Sequence, residues 1–346
     1  MRCLLSYLLI LWAISTAQAK NPHPDQKIYT AAAFGPKGVL WRVLPSQNIV
    51  SVDHSLDYGK SFSRPIRINP IDMPINSWAE NPPSISVDNK GSVNVLYFAD
   101  DKRDSTSFYS RSDDGIHFSK PVKVSSKADS NYHYQTEMLV DSSNNIHFLW
   151  HDVRDQQEYR KLGGGDLSIY YAATNAGKDF KLQQDRRIAK NICSCCRSAI
   201  AEDVDGNPVI LARFVYPGNI RDHGLLKLSA DGKMGEPWRV TFDNWKIEGC
   251  PTHGPALSIS KDGRYHMVWF TQGDLRTGLF YAWSDDKGNT FSKPLPVGNA
   301  EKMPGKAEVL ALGNQVALAW KSFDGIKTLV EVMRSEDRGL HWSAAK

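Results

Sequence analysis

Three cysteines stand within four positions of one another, Cys193, Cys195 and Cys196, in the stretch NICSCCRSAI. A further cysteine, Cys250, lies far downstream in EGCPTHGPAL, close to His253. Thiolate and imidazole groups are ligands that Cu(I) and zinc prefer, so all five residues are candidate metal ligands. The same thiols could instead form structural disulfides, or a strained disulfide that exchanges with a partner thiol. The spacing therefore leaves three interpretations open: disulfide bonds, a copper or zinc site, and thiol redox chemistry.

The N-terminal segment decides which cysteines the mature protein keeps. Residues 1–19 read MRCLLSYLLILWAISTAQA, with Arg2 ahead of an apolar run and small residues at the end. This layout is typical of a secretory signal peptide, and it predicts cleavage before Lys20 and export to the periplasm or the extracellular space. Cys3 would leave with the signal peptide. The remaining cysteines are even in number, which in an exported chain favours disulfides.

The overall composition excludes some classes of partner. The formal net charge of the chain is +4, and Lys and Arg are spread along the sequence instead of being grouped in blocks. A surface that binds nucleic acid would need such basic blocks, so we expect no nucleic acid partner. Beyond the N-terminal segment no apolar stretch is long enough to cross a bilayer, so we expect no stable membrane insertion.

One short pattern recurs along the chain: Ser, any residue, Asp, any residue, Gly, and an aromatic residue three positions later. Complete copies are SLDYGKSF (55–62), SDDKGNTF (284–291) and SEDRGLHW (335–342). The pattern predicts a tight turn in which Asp accepts backbone hydrogen bonds and Gly adopts a positive φ angle. The aromatic residue then anchors the next strand. The pattern marks the fold and carries no information about catalysis.

Each of these turns belongs to a longer unit of four predicted strands. The second unit reads NPPSISVD, VNVLYFAD, SFYSRS and IHFSKPVKVS, and the fifth repeats it as GPALSISKD, GRYHMVWFTQ, TGLFYAWS and TFSKPLPV. Six such units, spaced by roughly fifty residues, fill the chain. They predict an all-β fold, a six-bladed β-propeller with four antiparallel strands per blade, in which residues 20–346 form a single domain.

The repeated turns resemble the Asp boxes, or BNR repeats, of the sialidase (neuraminidase) superfamily, and the resemblance covers essentially the whole mature chain. The segments AENPP, CSCCR and NWKIEGCPTHGP are similar to those of secreted bacterial sialidase-like proteins. In that group a Cys-x-Cys-Cys segment accompanies a later Gly-Cys-Pro-x-x-Gly-Pro segment. The resemblance implies a sialidase-like propeller. It does not by itself imply an activity, because one fold hosts many functions.

The loops on one face of the predicted propeller carry nearly all of the reactive residues. These are the loops that lead into strand 1 and those that join strands 2 and 3 of each blade, so the two cysteine segments are expected to converge there. Arg154, Arg213 and Arg221 are candidates for binding an anionic group, because guanidinium donates paired hydrogen bonds. The other candidate ligand-binding residues are Asn81, His133, His151, Asp152 and Asp222, with His223 beside them.

The resemblance also implies a sialidase active site with an arginine triad in the first, fourth and fifth blades. The predicted first strands IYTAAAFGP and CPTHGPALSIS contain no arginine, and KMPGKAEV lacks the expected tyrosine nucleophile. We therefore expect a Cys/His-rich site that binds a small molecule, a glycan or a metal ion, copper before zinc, or that exchanges thiols. The alternative is a glycoside hydrolase, exo-sialidase-like, with a rearranged active site.

Overall fold

The structure is a computed structural model, and it describes residues 29–78, 80–101, 104–126, 133–155, 167–174, 182–229, 235–249 and 251–346. The predicted signal peptide and Cys250 lie outside these ranges. Within them the chain consists of β-strands and two short 3-10 helices, Pro36–Gly38 and Ala300–Lys302. No membrane-spanning helix is found in this part of the chain. The prediction of an all-β fold is confirmed for the described residues.

The first two repeats each form a four-stranded antiparallel sheet, in which neighbouring strands are consecutive in the sequence. The first sheet comprises β1 (Ala31–Phe34), β2 (Leu40–Pro45), β3 (Val50–Ser55) and β4 (Ile66–Arg67). The second sheet comprises β5 (Ser84–Val87), β6 (Val93–Asp101), β7 (Asp104–Ser112) and β8 (Val122–Lys123). This strand pattern is the one that the sequence predicts for a single repeat.

The third and fourth repeats share one eight-stranded sheet. Its strands are β9 (His133–Val140), β10 (Ile146–Asp152), β11 (Leu167–Thr174), β12 (Arg186–Ile192), β13 (Ala199–Glu202), β14 (Pro208–Tyr216), β15 (Ile220–Lys227) and β16 (Trp238–Arg239). Strand β12 meets β14 through a single residue pair, Ile192 with Phe214. Strand β13 also pairs with β14, where Ala199 lies opposite Leu211. The loop 193–198 therefore has both of its ends attached to the same strand.

The last two repeats form a four-stranded and a three-stranded sheet. Their strands are β17 (Ala256–Ile259), β18 (Tyr265–Gln272), β19 (Thr277–Ser284), β20 (Leu295–Val297), β21 (Gly305–Leu312), β22 (Gln315–Phe323) and β23 (Thr328–Ser335). Lys346 exchanges two backbone hydrogen bonds of 3.0 Å with Val332 of β23, so the chain end lies where a fourth strand would lie. Five sheets thus carry the six sequence repeats, and the sheets alone do not give a blade count of six.

The apolar core lies between successive repeats. Each of five clusters of buried side chains combines residues from two neighbouring repeats, from the first and second to the fifth and sixth. Strand β22 shows the cause, because Val316, Leu318 and Trp320 are buried and alternate with more exposed residues. Small antiparallel sheets that pack face to face in chain order are the arrangement of a β-propeller.

The Ser-x-Asp-x-Gly turns fasten neighbouring repeats to each other. In the fifth repeat, Ser284 Oγ donates to Asp286 Oδ1 over 2.7 Å and accepts the Gly288 N–H group at 2.9 Å. Gly288 has a φ of +84°, and a Cβ there would lie 2.4 Å from Leu225 of the fourth repeat. Glycine is therefore required both for the backbone angle and for the close approach to the preceding repeat.

Candidate functional site

Two loops from the cysteine-bearing segments of the sequence lie against each other. The thiol loop (193–198) follows β12, and the PTHGP loop (251–255) leads into β17. Gly254 packs on Arg197 so closely that a Cβ at position 254 would lie 2.6 Å from the Arg197 carbonyl oxygen. The structure therefore places the CSCCR segment in direct contact with the PTHGP loop.

The three sulfurs of the thiol loop form a compact group. Cys193 Sγ lies 3.9 Å from Cys195 Sγ and 3.7 Å from Cys196 Sγ, and all three sulfurs lie within 4.8 Å of one another. These separations exceed a disulfide bond length of about 2.05 Å, and the three residues are free thiols. Cys193 and Cys196 are buried, whereas Cys195 is half-buried. We call these three residues the thiol cluster.

Two arginines of the fourth repeat lie beside the thiol cluster. Arg221 Nη1 is 3.4 Å from Cys193 Sγ. Arg213 is only 1% exposed and donates to three backbone carbonyl groups at 2.7–3.1 Å, those of Arg221, His253 and Phe270. Among the described residues, Arg213 has no carboxylate at ion-pair distance. A buried guanidinium group without a carboxylate partner is costly, so an anionic group nearby would stabilise it.

These contacts separate the pKa values of the three thiols. Hydrogen bonds from Cys195 and Cys196 lower the pKa of Cys193, and the charges of Arg213 and Arg221 lower it further. The pKa of Cys195 is raised by its hydrogen bonds to the other two sulfurs. Burial raises the pKa of Cys196. The thiol cluster thus favours one thiolate at Cys193, next to the guanidinium group of Arg221.

Two of the predicted ligand histidines lie in the interior of the third and fourth repeats. Burial lowers the pKa of His151 to about 4, and its Nε2 lies 2.9 Å from Ser198 Oγ of the thiol loop. Burial also lowers the pKa of His223, which is 1% exposed. Both imidazoles are therefore neutral near pH 7 and add no positive charge to a site for an anion. The side chain of His133 lies outside the described residues.

His253 occupies the PTHGP loop with its ring stacked on Phe270, at a centroid distance of 4.1 Å. Gly305 makes room for this ring, because a Cβ at position 305 would lie 2.8 Å from His253 Cε1. Burial lowers the pKa of His253 to about 4, and the charges of Lys306 and Arg213 contribute to the shift. The three ligand atoms that lie within 4.8 Å of one another are all sulfurs, so His253 is not part of that set.

A group of charged residues meets next to the thiol loop. Glu80 is 4% exposed, and its Oε2 accepts the backbone N–H groups of Arg197 and Gly254, both at 3.2 Å. Its Oε1 pairs with Lys306 Nζ. The Arg197 side chain in turn pairs with Glu308, whose side chain is 59% exposed, so the group extends from the interior to solvent. We call the following residues the central charged cluster: Glu80, Glu137, Arg197, Lys306 and Glu308.

Glu137, on β9, is a member of the central charged cluster with an altered acidity. Desolvation raises the pKa of its carboxyl group to about 7, the charge of Arg197 opposes this shift, and the charge of Glu80 adds to it. Such a group is divided between acid and carboxylate near neutral pH, as a general acid requires. Glu137 was not among the predicted site residues, because those lie in the loops of one face, whereas Glu137 lies within the first strand of its repeat. An acidic residue within the strand HYQTEMLV was the available signal.

Arg154, a predicted ligand residue, is held in an ion-pair network of the third repeat. Its Nη2 donates to Asp152 Oδ2 at 2.7 Å and to Asp185 Oδ2 at 3.0 Å. Its guanidinium carbon lies 3.9 Å from the centre of the Tyr170 ring. The side chain is therefore paired locally, whereas Arg213 and Arg221 adjoin the thiol cluster.

Two further predicted ligand residues make contacts that hold the chain together. Asp222 is 1% exposed, pairs with Arg239 and accepts the Asn244 N–H group at 3.0 Å. Asn81 is 2% exposed, and its Oδ1 accepts the Thr136 N–H group at 3.2 Å, which links the second repeat to the third. Asn81 follows Glu80 directly and so borders the central charged cluster.

Solved structures resemble this chain, although no family model and no curated protein matches its sequence. The BP39L lectin of Burkholderia pseudomallei has a TM-score of 0.66 at 14% identity, over 92% of this chain and 84% of the lectin. An α-L-arabinanase of Penicillium chrysogenum, solved with arabinobiose, has a TM-score of 0.59 at 12% identity, over 89% and 93%. A Hadza microbial sialidase has a TM-score of 0.51 at 12% identity, over 87% and 66%.

The likeness to these proteins concerns the fold. They are β-propellers, and at such low identity a structural match carries no information about activity. The expected resemblance to sialidases is therefore shown for the architecture, which arabinanases and lectins share, and not for the sialidase family itself. The chain has the β-propeller fold that occurs in glycoside hydrolases and lectins.

Proposed function

We propose that this protein is a carbohydrate-active β-propeller that binds a glycan at the central charged cluster and hydrolyses it. The observation that carries the proposal is the meeting of charged groups from separate repeats around Glu80, which contacts the fourth, fifth and sixth repeats. The fold is compatible with the proposal, because an arabinanase solved with arabinobiose and a lectin are both similar to this chain. The glycan would replace solvent at the exposed side of the cluster, near Glu308.

Glu137 and Glu80 suit two different roles in glycoside hydrolysis. That reaction needs one carboxylic acid to protonate the leaving oxygen and a second carboxylate to support the positive charge that develops on the sugar. Glu137 can act as the acid, because its pKa is raised to about 7. Glu80 can act as the carboxylate, because Lys306 and two backbone N–H groups compensate its negative charge.

The charge of the cluster favours a neutral glycan over an acidic one. Three carboxyl groups face only two cationic side chains, those of Arg197 and Lys306, and both cations are already paired. A sialoside or a uronate would bring a further carboxylate next to these groups and be repelled. Sugar hydroxyls, in contrast, donate hydrogen bonds to carboxylates. The proposed substrate class is therefore a neutral oligosaccharide, such as an arabino-oligosaccharide.

The release of reducing sugar tests this proposal. The mature chain would be incubated with arabinan, with other neutral plant and microbial glycans, and with sialosides, and binding would be followed by calorimetry. Glu137→Gln should lower turnover by about 100-fold or more while leaving glycan binding within a few-fold of the wild type. Glu301→Gln, on the exposed 3-10 helix Ala300–Lys302, is the matched control and should change neither quantity.

Three results would contradict the proposal. Equal turnover by the wild type and Glu137→Gln would remove Glu137 from the reaction. Glycan binding without any hydrolysis would place the protein among lectins, and release of sialic acid in preference to neutral sugars would refute the charge argument.

Six blades and export to the periplasm or the extracellular space belong to the same proposal. The eight-stranded sheet counts as two blades because only the Ile192–Phe214 pair joins its halves. The chain end, paired with Val332, would complete the sixth blade. Residues 1–19 have the layout of a signal peptide. Intact mass of the exported protein, beginning at Lys20, tests the cleavage.

A further inference from the structure

We propose that Cys193, Cys195 and Cys196 form a three-thiolate binding site for one soft monovalent metal ion, and that Cu(I) is the ion it fits best. The site is distinct from the central charged cluster, although Arg197 follows Cys196 directly. The proposed metal site can therefore be tested independently of the proposed glycan hydrolysis.

The spacing of the sulfurs matches the ligand positions around one metal ion. Ligand sulfurs at about 2.3 Å from a metal lie about 3.8–4.0 Å from one another in tetrahedral or trigonal geometry. Cys193 Sγ lies 3.9 Å and 3.7 Å from the other two sulfurs. The pairing of both ends of the thiol loop with β14 fixes this spacing before any ion binds.

The number of ligands favours Cu(I) over zinc. Among the described residues, only these three sulfurs form a set of three Cys, His, Asp or Glu ligand atoms within 4.8 Å of one another. Structural zinc sites almost always have four protein ligands, and soft thiolates select Cu(I). The set of three sulfurs that the described residues provide is therefore a better site for Cu(I) than for zinc.

The charges around the site point to the same ion. Three thiolates around a monovalent cation carry two excess negative charges, and Arg213 and Arg221 supply two positive charges. A divalent cation would leave one positive charge uncompensated. Arg213 is 1% exposed, and among the described residues it has no carboxylate at ion-pair distance, so the metal–thiolate group would be its anion. Arg221 Nη1, 3.4 Å from Cys193 Sγ, would stabilise the same group directly.

The burial of the sulfurs suits an air-sensitive ion. Cys193 and Cys196 are buried, so a bound Cu(I) ion would be shielded from oxygen and water on two sides. Cys195 is half-buried and provides the route by which the ion enters. The neutral ring of His151 lies on the interior side of the thiol loop, through its contact with Ser198.

The test is an anaerobic Cu(I) titration of the reduced mature chain in competition with bicinchoninate, without any sugar. We expect one Cu(I) per chain, with a near-ultraviolet thiolate-to-copper absorption band and the loss of three thiols that react with a colorimetric reagent. Cys195→Ser should weaken binding by about 100-fold. Arg221→Gln should weaken it by about 10-fold, as for other residues that support metal ligands, and Arg221→Lys should restore most of it.

Cys250→Ser tests the number of ligands: if three thiolates suffice, as we propose, binding should stay within about 3-fold of the wild type. A loss equal to that of Cys195→Ser would overturn the three-thiolate site. Failure of the reduced protein to take up Cu(I), or preference for Zn(II), would overturn the proposal as well. Circular dichroism checks each variant. If Cys195→Ser does not fold, the Arg221 pair and thiol counting on the wild type give the answer.

Discussion

Replacing Gly254 by alanine should destabilise the protein by separating the thiol loop from the PTHGP loop. The new Cβ would lie 2.4 Å from Arg197 Cγ and 2.6 Å from the Arg197 carbonyl oxygen, so the backbone of one loop has to move. Ordinary contacts of a Cβ atom begin near 3.4 Å. Moving one loop far enough to restore that distance stretches the two 3.2 Å hydrogen bonds that Glu80 accepts. Overpacking costs about 1–3 kcal/mol, and weakening a charge-assisted hydrogen bond adds about 1 kcal/mol. We expect a loss of about 3 kcal/mol.

Urea unfolding of Gly254→Ala measures this loss, and Gly249→Ala is the matched control. Both glycines belong to the same GCPTHGP segment, but a Cβ at position 249 would meet only Ile247, at an ordinary 3.7 Å. Gly249→Ala should therefore stay within about 0.5 kcal/mol of the wild type, as surface substitutions usually do. If the two variants unfold at the same urea concentration, the contact between the loops is not what the structure indicates.

Three further changes test other parts of the structure by urea unfolding. In Gly288→Ala the new Cβ would lie 2.4 Å from a leucine of the fourth repeat, whereas in Gly325→Ala, at a similar φ, it would enter open space. Gly288→Ala should therefore lower the free energy of unfolding by about 1–3 kcal/mol more than Gly325→Ala. Equal losses would argue against the contact between repeats. Relative to Glu137→Gln, the wild type should lose about 2 kcal/mol of stability between pH 5 and 8, because the Glu137 pKa of about 7 lies above its unfolded value and the folded state holds the proton more tightly. The buried histidines, whose lowered pKa values act in the opposite direction, contribute equally to both proteins and cancel from this difference. A difference in stability that does not change with pH would contradict the raised pKa. Arg154→Ala should lower the free energy of unfolding by about 3–5 kcal/mol, because two buried aspartates lose their cation. Glycan and Cu(I) binding should stay unchanged. Weaker binding of either ligand would show that Arg154 contributes to a binding site.

The fold was predictable because the repeated turns share one recognisable residue pattern in the sequence. Ser284, Asp286 and Gly288 each have a role that follows from residue type alone, and their hydrogen bonds are as expected. The pairing of β12 with β14 was not predictable, because one residue pair leaves no pattern in the sequence.

The candidate site was predictable only in part. The contact between the two cysteine-bearing segments follows from blade topology, and Gly254 against Arg197 provides it. Arg154 and Arg213 look alike in sequence, since each is an arginine near the predicted junction of strands 2 and 3 of its repeat. Only coordinates show that one has carboxylate partners and the other has backbone carbonyls. Glu137 was missed because desolvation, which raises its pKa, depends on the packing of residues far away in the sequence.

The attachment of the thiol loop to a single strand affects the order in which parts of the protein unfold. Both anchor points lie on β14, three residues apart, so the three sulfurs stay together as long as that local piece of sheet survives. The charged residues around Glu80 come from four repeats, so their contacts are lost when any one of these repeats unfolds. Under mild denaturant, amide hydrogen exchange should therefore report early opening at Arg197 and Gly254, while the β14 amides stay protected.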